Sequence, residues 1–295
     1  MTSGNASLLT VCIRSYNQER YIAQALESVL GQKTSFPFEI VVSDDCSNDG
    51  TKEVLSDYQH RYPERIRILW SESNIGGPRN LRRVIEASEA KYITCLDGDD
   101  YYLDKYKLQK QVEFLEENEG YSGCFHNVMD INEKSNSRSL FLPLDFPSVA
   151  NARDVISKPW FLPIHSVMMR REYISFPDWY ETVMNDDFVV NLSVVMHGPY
   201  YYMPDIMAAY RHHDSNVSIN YSDISLINEQ LCKILSGFSS IYPKEYLPVF
   251  EDRIRCLQDE SDLYLKNLRR PWCKWFRLKT YKRFIKKMLL ALFVK

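Results

Sequence analysis

The chain has little of what marks specialised protein classes. Its seven cysteines (Cys12, Cys46, Cys95, Cys124, Cys232, Cys256 and Cys273) are odd in number and scattered. They form no C-x-x-C pair and no zinc-like spacing, which excludes a disulfide framework or a zinc ribbon and reads as reduced, mostly buried thiols. With 10 Gly and 13 Pro in 295 residues, a collagen-like, disordered or linker-rich chain is excluded. No run approaches the roughly 18–20 apolar residues of a membrane span. The segment MTSGNASLLTVCIRSYNQ has no basic n-region and Thr10 interrupts its apolar stretch, so no secretory signal is expected and the protein is expected in the cytoplasm. A net charge of −3 offers no global attraction to nucleic acid. No G-x-G-x-x-G follows the first apolar run, which counts against a dinucleotide oxidoreductase. No early Gly-rich loop with a following Arg and Lys is present to hold a triphosphate, which counts against a sugar nucleotidyltransferase.

What is there is a globular composition, 45% hydrophobic and 25% charged in 34.8 kDa, enough for one large core or two modest ones. From Leu8 to about Asn118, short β-branched runs alternate with stretches of helical period, the signature of βαβ units. Strands are predicted at Leu8–Ile13, Phe38–Ser43, Ile66–Trp70 and Tyr92–Leu96. The first crossover carries Ile22, Leu26, Val29 and Leu30 on one face and ends at Gly31, where a left-handed cap is favoured. The second carries Val54, Leu55 and Tyr58, with Ser47 or Asn48 as candidate caps. The third starts at Pro78 and buries Leu81, Val84 and Ile85. After strand four, Asp104 is expected to cap a helix bearing Leu108, Val112 and Leu115. Short strands follow, including Ser122–His126, Ser166–Arg170 and Tyr200–Met203, with a helix at Phe188–His197. Two further helices are expected, one around Leu226–Leu235 and one around Phe250–Leu265. The organisation read from this is 1–120 as a nucleotide-binding half, 121–220 as an acceptor-binding and catalytic half, and 221–295 as a helical extension with a basic tail.

The polar residues fall at strand carboxyl ends: Arg14, Ser15, Tyr16 and Asn17 after strand one, Asp44 and Asp45 after strand two, and Asp97, Asp99 and Asp100 after strand four. Ligands of open α/β sheets bind beyond those ends, so separated segments converge on one acidic, Tyr-containing cleft. Asp97 and Asp99 stand at i and i+2, which on extended backbone puts both carboxylates on one side. Two hard oxygen donors so placed suit magnesium or manganese carried by a nucleoside diphosphate. By itself LDGDDYY reads equally as a turn.

In order and spacing, SYNQERYIAQALESVLGQ, FEIVVSDDCSNDGT, NIGGPRN and KYITCLDGDDYY resemble the nucleotide-sugar-binding half of family 2 inverting glycosyltransferases of GT-A fold. The resemblance is dense from Leu8 to Leu115 and resumes at MNDDFVVNLSVVMHG and DIMAAYRHHDSNVS. It implies an α/β fold with a doubly wound mixed sheet and a helical C-terminal extension. It further implies that Tyr16 stacks on the base and Asp45 bonds it, with Asp44 beside it. Asp99 would bind Mn2+ or Mg2+ with Asp97 and His213. Arg79 and Asn80 would contact the diphosphate or sugar, and Asp187 would act as general base beside Asp186. Arg211 and His212 would lie near the diphosphate and His165 at the acceptor floor. Arg14 departs from the family pattern, where a small residue is usual, and is a candidate phosphate contact. The implied reaction is transfer of a sugar, with UDP the expected carrier, to a saccharide or lipid-linked saccharide, as in cell-surface polysaccharide synthesis. A non-catalytic nucleotide-sugar-binding protein of the same fold is the alternative.

Residues 266–295 hold 11 Lys and Arg and no acid, while the other 265 residues carry 25 basic and 39 acidic side chains. Tyr281, Phe284, Ile285, Met288, Leu289, Leu292 and Phe293 recur at helical spacing opposite lysines and arginines. Such a basic amphipathic helix suits the surface of an anionic membrane or docking onto protein, including a second copy of the chain; nucleic acid is not an expected partner.

Overall fold

The computed structural model of the protein describes residues 7–159, 161–214 and 223–268. The chain divides into two compact units, Met1–Asn216 and Val217–Lys295. In the first, the apolar run Leu9–Ser15 forms β1 and is buried throughout except at Arg14. Helix α1 (Ile22–Leu30) follows, burying Ile22, Ala25, Leu26 and Val29 at the spacing a one-faced helix requires. Then come β2 (Phe38–Asp44), α2 (Thr51–Arg61), β3 (Ile66–Trp70), α3 (Gly77–Glu86) and β4 (Tyr92–Asp97). β1 pairs in parallel with β2 and β4, and β2 with β3. This is the sheet the alternating pattern predicts, and it places the carboxyl ends of β1, β2 and β4 side by side.

The remainder of this unit comprises β5 (Tyr101–Tyr102), α4 (Lys107–Glu117), β6 (Gly123–Asn132), β7 (Ser137–Leu140), β8 (Val149–Ala150), α5 (Ala152–Ser157), β9 (Met168–Arg170), α6 (Asp186–Val195) and β10 (Tyr200–His212). β9 lies antiparallel between β4 and β6, β10 runs parallel to β6, and β5 pairs antiparallel with β10. One mixed sheet results, in the order β3-β2-β1-β4-β9-β6-β10-β5, with β7 on β6 and β8 on β10. Buried Lys107 joins α4 to β4, donating to Gln111 Oε1 at 2.8 Å and Thr94 Oγ1 at 3.2 Å; burial pulls its pKa down to about 7.

Several local expectations are corrected. Gly31 is right-handed, at φ −75°. Neither Ser47 nor Asn48 caps α2, whose N-cap is Gly50; Asp49 instead accepts from the Thr51 N–H at 3.0 Å. Asp104 accepts from the Tyr106 N–H at 2.8 Å, one turn ahead of α4, whose N-cap is Tyr106. β10 runs thirteen residues rather than stopping at Met203. Pro204 and Asp205 break its apolar alternation, and the strand carries them across register shifts between Met203 and Ala208, as bulges permit.

Gly123 opens β6 against Tyr200: a Cβ there would stand 2.3 Å from Tyr200 Cε1 and 2.8 Å from the Met168 carbonyl oxygen. Overpacking of this kind costs about 1–3 kcal/mol. Gly123→Ala is therefore expected to lower Tm by several degrees in calorimetry, and an unchanged Tm would show that the strands separate without cost.

In the second unit, α7 (Ile224–Ser239) and α8 (Leu247–Leu268) pack together. Leu231, Ile234, Leu235, Phe238, Phe250 and Leu257 are buried, and Asn228 donates to the Leu257 carbonyl at 3.0 Å. The basic tail expected over 266–295 lies, from residue 269 onward, outside the described residues. Among the described residues no helix is long and apolar enough to cross a membrane. The described cysteines are free; Cys12, Cys95 and Cys124 are buried, while Cys46 and Cys232 are half-buried and Cys256 is exposed.

Candidate active site

The carboxyl ends of β1 and β2 are locked together by their own polar residues. The Asp45 N–H donates to the Ser15 carbonyl at 2.9 Å, the Asn17 N–H to Ser47 Oγ at 2.9 Å, and the Asn48 N–H to Asn17 Oδ1 at 2.9 Å. Asn17 and Cys46 both have positive φ, 53° and 61°, a conformation uncommon outside glycine and found at tightly specified loops. Between Ser15 and Asn17, Tyr16 stands 43% exposed at the rim. Asp45 accepts from the Ile75 N–H at 2.7 Å and the Gly76 N–H at 2.9 Å, fixing the loop that enters α3. That loop needs its glycine, since Gly76 has φ +87°.

Arg14 and Asp97 are register partners at the ends of β1 and β4. The Arg14 guanidinium donates to both Asp97 oxygens through Nε and, at 3.2 Å, Nη2. Its Nη1 reaches 2.6 Å to Asp186 Oδ2 at the start of α6. The same Asp186 oxygen lies 3.7 Å from where a Cβ of Gly77 would stand. Arg14 of β1, Asp97 of β4 and Asp186 of α6 therefore meet at one rim, and Asp45 reaches the same side through the loop that enters α3.

Asp97, Asp99 and Asp100 can each present an oxygen within 4.8 Å of the others. This all-oxygen donor set fits a hard divalent cation such as Mg2+ or Mn2+. Asp99 Oδ2 is 3.1 Å from His213 Nε2, and His213 stacks on Tyr21 with ring centroids 4.4 Å apart. Arg211 covers Tyr21 at 4.5 Å. Tyr21 in turn donates to Glu133 at 3.0 Å, and Arg211 pairs with Glu133 at 3.3 Å. Asp100 accepts the Arg211 N–H at 2.8 Å and faces His165 Nδ1 at 3.3 Å.

The charges sort by environment. Burial, reinforced by Asp99 and Asp97, pushes Asp100 well above the ordinary carboxylate range, while burial pulls His165 down to about 4. Burial thus works against the charged form of both partners in this contact. At Asp97 burial would raise the pKa, but the Arg14 guanidinium outweighs it and holds the acid below its usual value. Asp186 is raised by burial against the pull of Arg14. Asp187 is pushed up to about 7 by burial and then by Asp186, with Arg14 opposing. The two acids occupy the first turn of α6, whose N-cap is Asn185. Asp187 is thus no N-cap, and its Oδ1 accepts from the Phe188 N–H at 2.8 Å.

Residues 10–175 match the model of the family described as Glycosyl transferase family 2. The chain belongs to glycosyltransferase family 2. An uncharacterized protein of Mycobacterium tuberculosis is 35% identical over 199 residues, 68% of this chain and 57% of that one; the chain thus spans little more than half the length of that curated relative. The poly(ribitol-phosphate) β-N-acetylglucosaminyltransferase TarS of Staphylococcus aureus is 34% identical over 112 residues, 37% of this chain and 19% of that one. The structure of S. aureus TarS in complex with UDP-GlcNAc aligns with a TM-score of 0.59 at 19% identity, covering 84% of this chain and 80% of that one. The mannosyltransferase PcManGT of Pyrobaculum calidifontis, in complex with GDP-Man and Mn2+, aligns with a TM-score of 0.58 at 17% identity, covering 98% and 81%. The mixed α/β sheet of this family 2 chain is accordingly the GT-A fold.

Not every residue singled out in this family 2 sequence reaches the rim. Asp44 is fully buried and accepts from Ser47, through the N–H at 3.0 Å and the hydroxyl at 2.5 Å. Asn80, buried on α3, exchanges hydrogen bonds with Ser43 at 2.5 and 3.1 Å. Both are committed to shaping the end of β2, in place of the donor contact expected of them. Arg79 pairs with Glu181 at 2.7 Å and is 57% exposed in its side chain. His212 pairs with Asp130 at 2.5 Å. Sequence reasoning missed Tyr21, Glu133 and Glu181. Nothing in a lone Tyr or Glu signals a partner about a hundred residues away, although the segment YRHHD, which Tyr21 and Glu133 meet, was itself legible.

Proposed function

We propose that the protein is a metal-dependent inverting glycosyltransferase that moves a sugar from a nucleoside diphosphate, with uridine as the base, to a hydroxyl of a saccharide or lipid-linked saccharide. The reading is supported chiefly by one observation: Arg14 ties Asp97, in the D-x-D segment, to Asp186, beside Asp187, so metal-binding and base candidates share one rim. Tyr16 offers its exposed ring to the base and Asp45 sets the adjoining loop. Arg79 and Arg211, with His212 and His213, supply positive or hydrogen-bonding groups toward a diphosphate. His165 lies under the acceptor side with Asp100.

Asp99, with Asp97 beside it and His213 in contact, would hold Mn2+ or Mg2+; when bound, the ion supplies charge neutralisation for the departing nucleoside diphosphate. Asp187 takes the proton of the acceptor hydroxyl as that oxygen bonds to the anomeric carbon and the bond from that carbon to the phosphate oxygen breaks. Attack opposite the leaving group inverts the centre, and no covalent enzyme intermediate forms. A base with a pKa near the working pH is suited to this task. Recruitment of a lipid-linked acceptor would fall to the basic 266–295 segment at an anionic membrane surface. TarS is named as a poly(ribitol-phosphate) β-N-acetylglucosaminyltransferase, and a polymeric acceptor rich in hydroxyls fits this reading.

The test is a thermal-shift screen of nucleotide sugars with and without Mn2+, followed by release of free nucleoside diphosphate from the donor that binds. A ligand bound only by the folded state raises Tm in proportion to the logarithm of its concentration over Kd. A shift that requires the metal, with turnover, is expected. Binding without any turnover or hydrolysis would favour the non-catalytic alternative.

A further inference from the structure

Arg14 is the one residue of the first strand's buried run that is only half-buried. Its guanidinium spends all three nitrogens on two carboxylates from distant segments, Asp97 at 83 residues' separation and Asp186 at 172. The Asp186 side chain is only 7% exposed and those of Arg14 and Asp97 are 23% and 24% exposed, so solvent screens the bridge weakly. A planar fork with fixed donor directions fits this double contact; an ammonium on a flexible stem would satisfy one carboxylate at a time. On the far side, Asp186 Oδ1 accepts the N–H of Asp187 at 2.9 Å. The chain of contacts thus runs from the end of β4 through Arg14 and Asp186 to the backbone of Asp187.

We propose that Arg14 is a positioning residue, tying the start of α6 to the end of β4 so that Asp187 is aimed at the acceptor hydroxyl. This rests on the reading of Asp187 as the base. The glycine-rich loop before α3 leaves the tie room, since Gly77 presents no side chain toward Asp186. A base misplaced by about 1 Å loses on the order of 100-fold in rate, so the tie matters to kcat and little to donor capture.

The test is a double-mutant cycle of Arg14→Ala and Asp186→Asn, with Arg14→Lys as a third variant, read by transfer kinetics and by amide hydrogen exchange. Arg14→Ala is expected to lower kcat on the order of 100-fold with donor KM within about threefold of wild type, and Arg14→Lys to fall between. The double variant should be no slower than the slower single one, because both remove the same contact. Exchange should quicken at the amides of 186–188 and stay unchanged in β1 and β2. Additive rate losses, a raised KM with intact kcat, or unchanged exchange at 186–188 would each overturn the proposal. If Arg14→Ala does not fold, the cycle is run with Arg14→Lys. Absence of transfer by the wild type would sink the proposed function instead, and the exchange result would then decide the Arg14 tie by itself.

Discussion

Asp187→Asn is expected to lower sugar transfer by about a thousandfold while leaving donor affinity within about threefold. The amide keeps the size and the hydrogen bond to the Phe188 N–H but cannot take a proton from an acceptor hydroxyl. Steady-state transfer and calorimetric donor titration check it, and turnover within tenfold of wild type would remove the proposed base. Since burial, Asp186 and Arg14 together place the Asp187 pKa at about 7, the wild-type rate should rise with pH through that value as the carboxylate forms. A rate flat between pH 5 and 8 would contradict this. The same substitution has a stability signature of definite sign. A carboxyl group whose folded pKa is raised opposes folding as pH climbs above its unfolded value, about 3.9, and the penalty is complete above its folded value. Asp187→Asn should therefore raise Tm above pH 7 by a few degrees, with the gain fading as pH falls toward 4.

Asp99→Ala should abolish the contribution of Mn2+ to donor binding, so that nucleoside diphosphate affinity with the metal falls to the metal-free level. Asp99 sits within the three-carboxylate cluster and contacts His213, which stacks on Tyr21. Asp97 is already engaged through Nε and Nη2 of Arg14, and burial and its acidic neighbours push the Asp100 pKa well above the ordinary carboxylate range, which disfavours the charged form a cation would need. The ordering of effects on Mn2+-dependent affinity should therefore be Asp99→Ala largest, Asp97→Ala smaller and Asp100→Asn least. Titration of donor with and without Mn2+ reads all three. An Asp99→Ala protein that retains the full metal enhancement would move the metal away from this cluster.

Much of the site was legible because its acids lie at strand ends. Asp44, Asp45 and Asp97 close β2 and β4, and the ends of adjacent parallel strands must be neighbours. What the strand rule could not give is which oxygen points where. Asp44 and Asp45 are consecutive, yet one is turned inward to Ser47 and the other toward the loop before α3. Asp186 and Asp187 were expected ahead of their helix and stand within it, because Asn185 takes the capping place. Asn80, expected at the diphosphate or sugar, is buried against Ser43.

The sequence by itself determined the alternation of strands and helices, the carboxyl edge where the acids collect, and the family. These follow from periodicities of two and 3.6 residues and from motifs within single segments. Tertiary structure alone decided that Arg14 bridges two acid segments, that Asp100 and His165 meet in a buried contact, and that Tyr21 gathers Arg211 and His213 against its ring. Each depends on distances between segments far apart in the chain and on burial from water, which periodicity within a single segment does not encode.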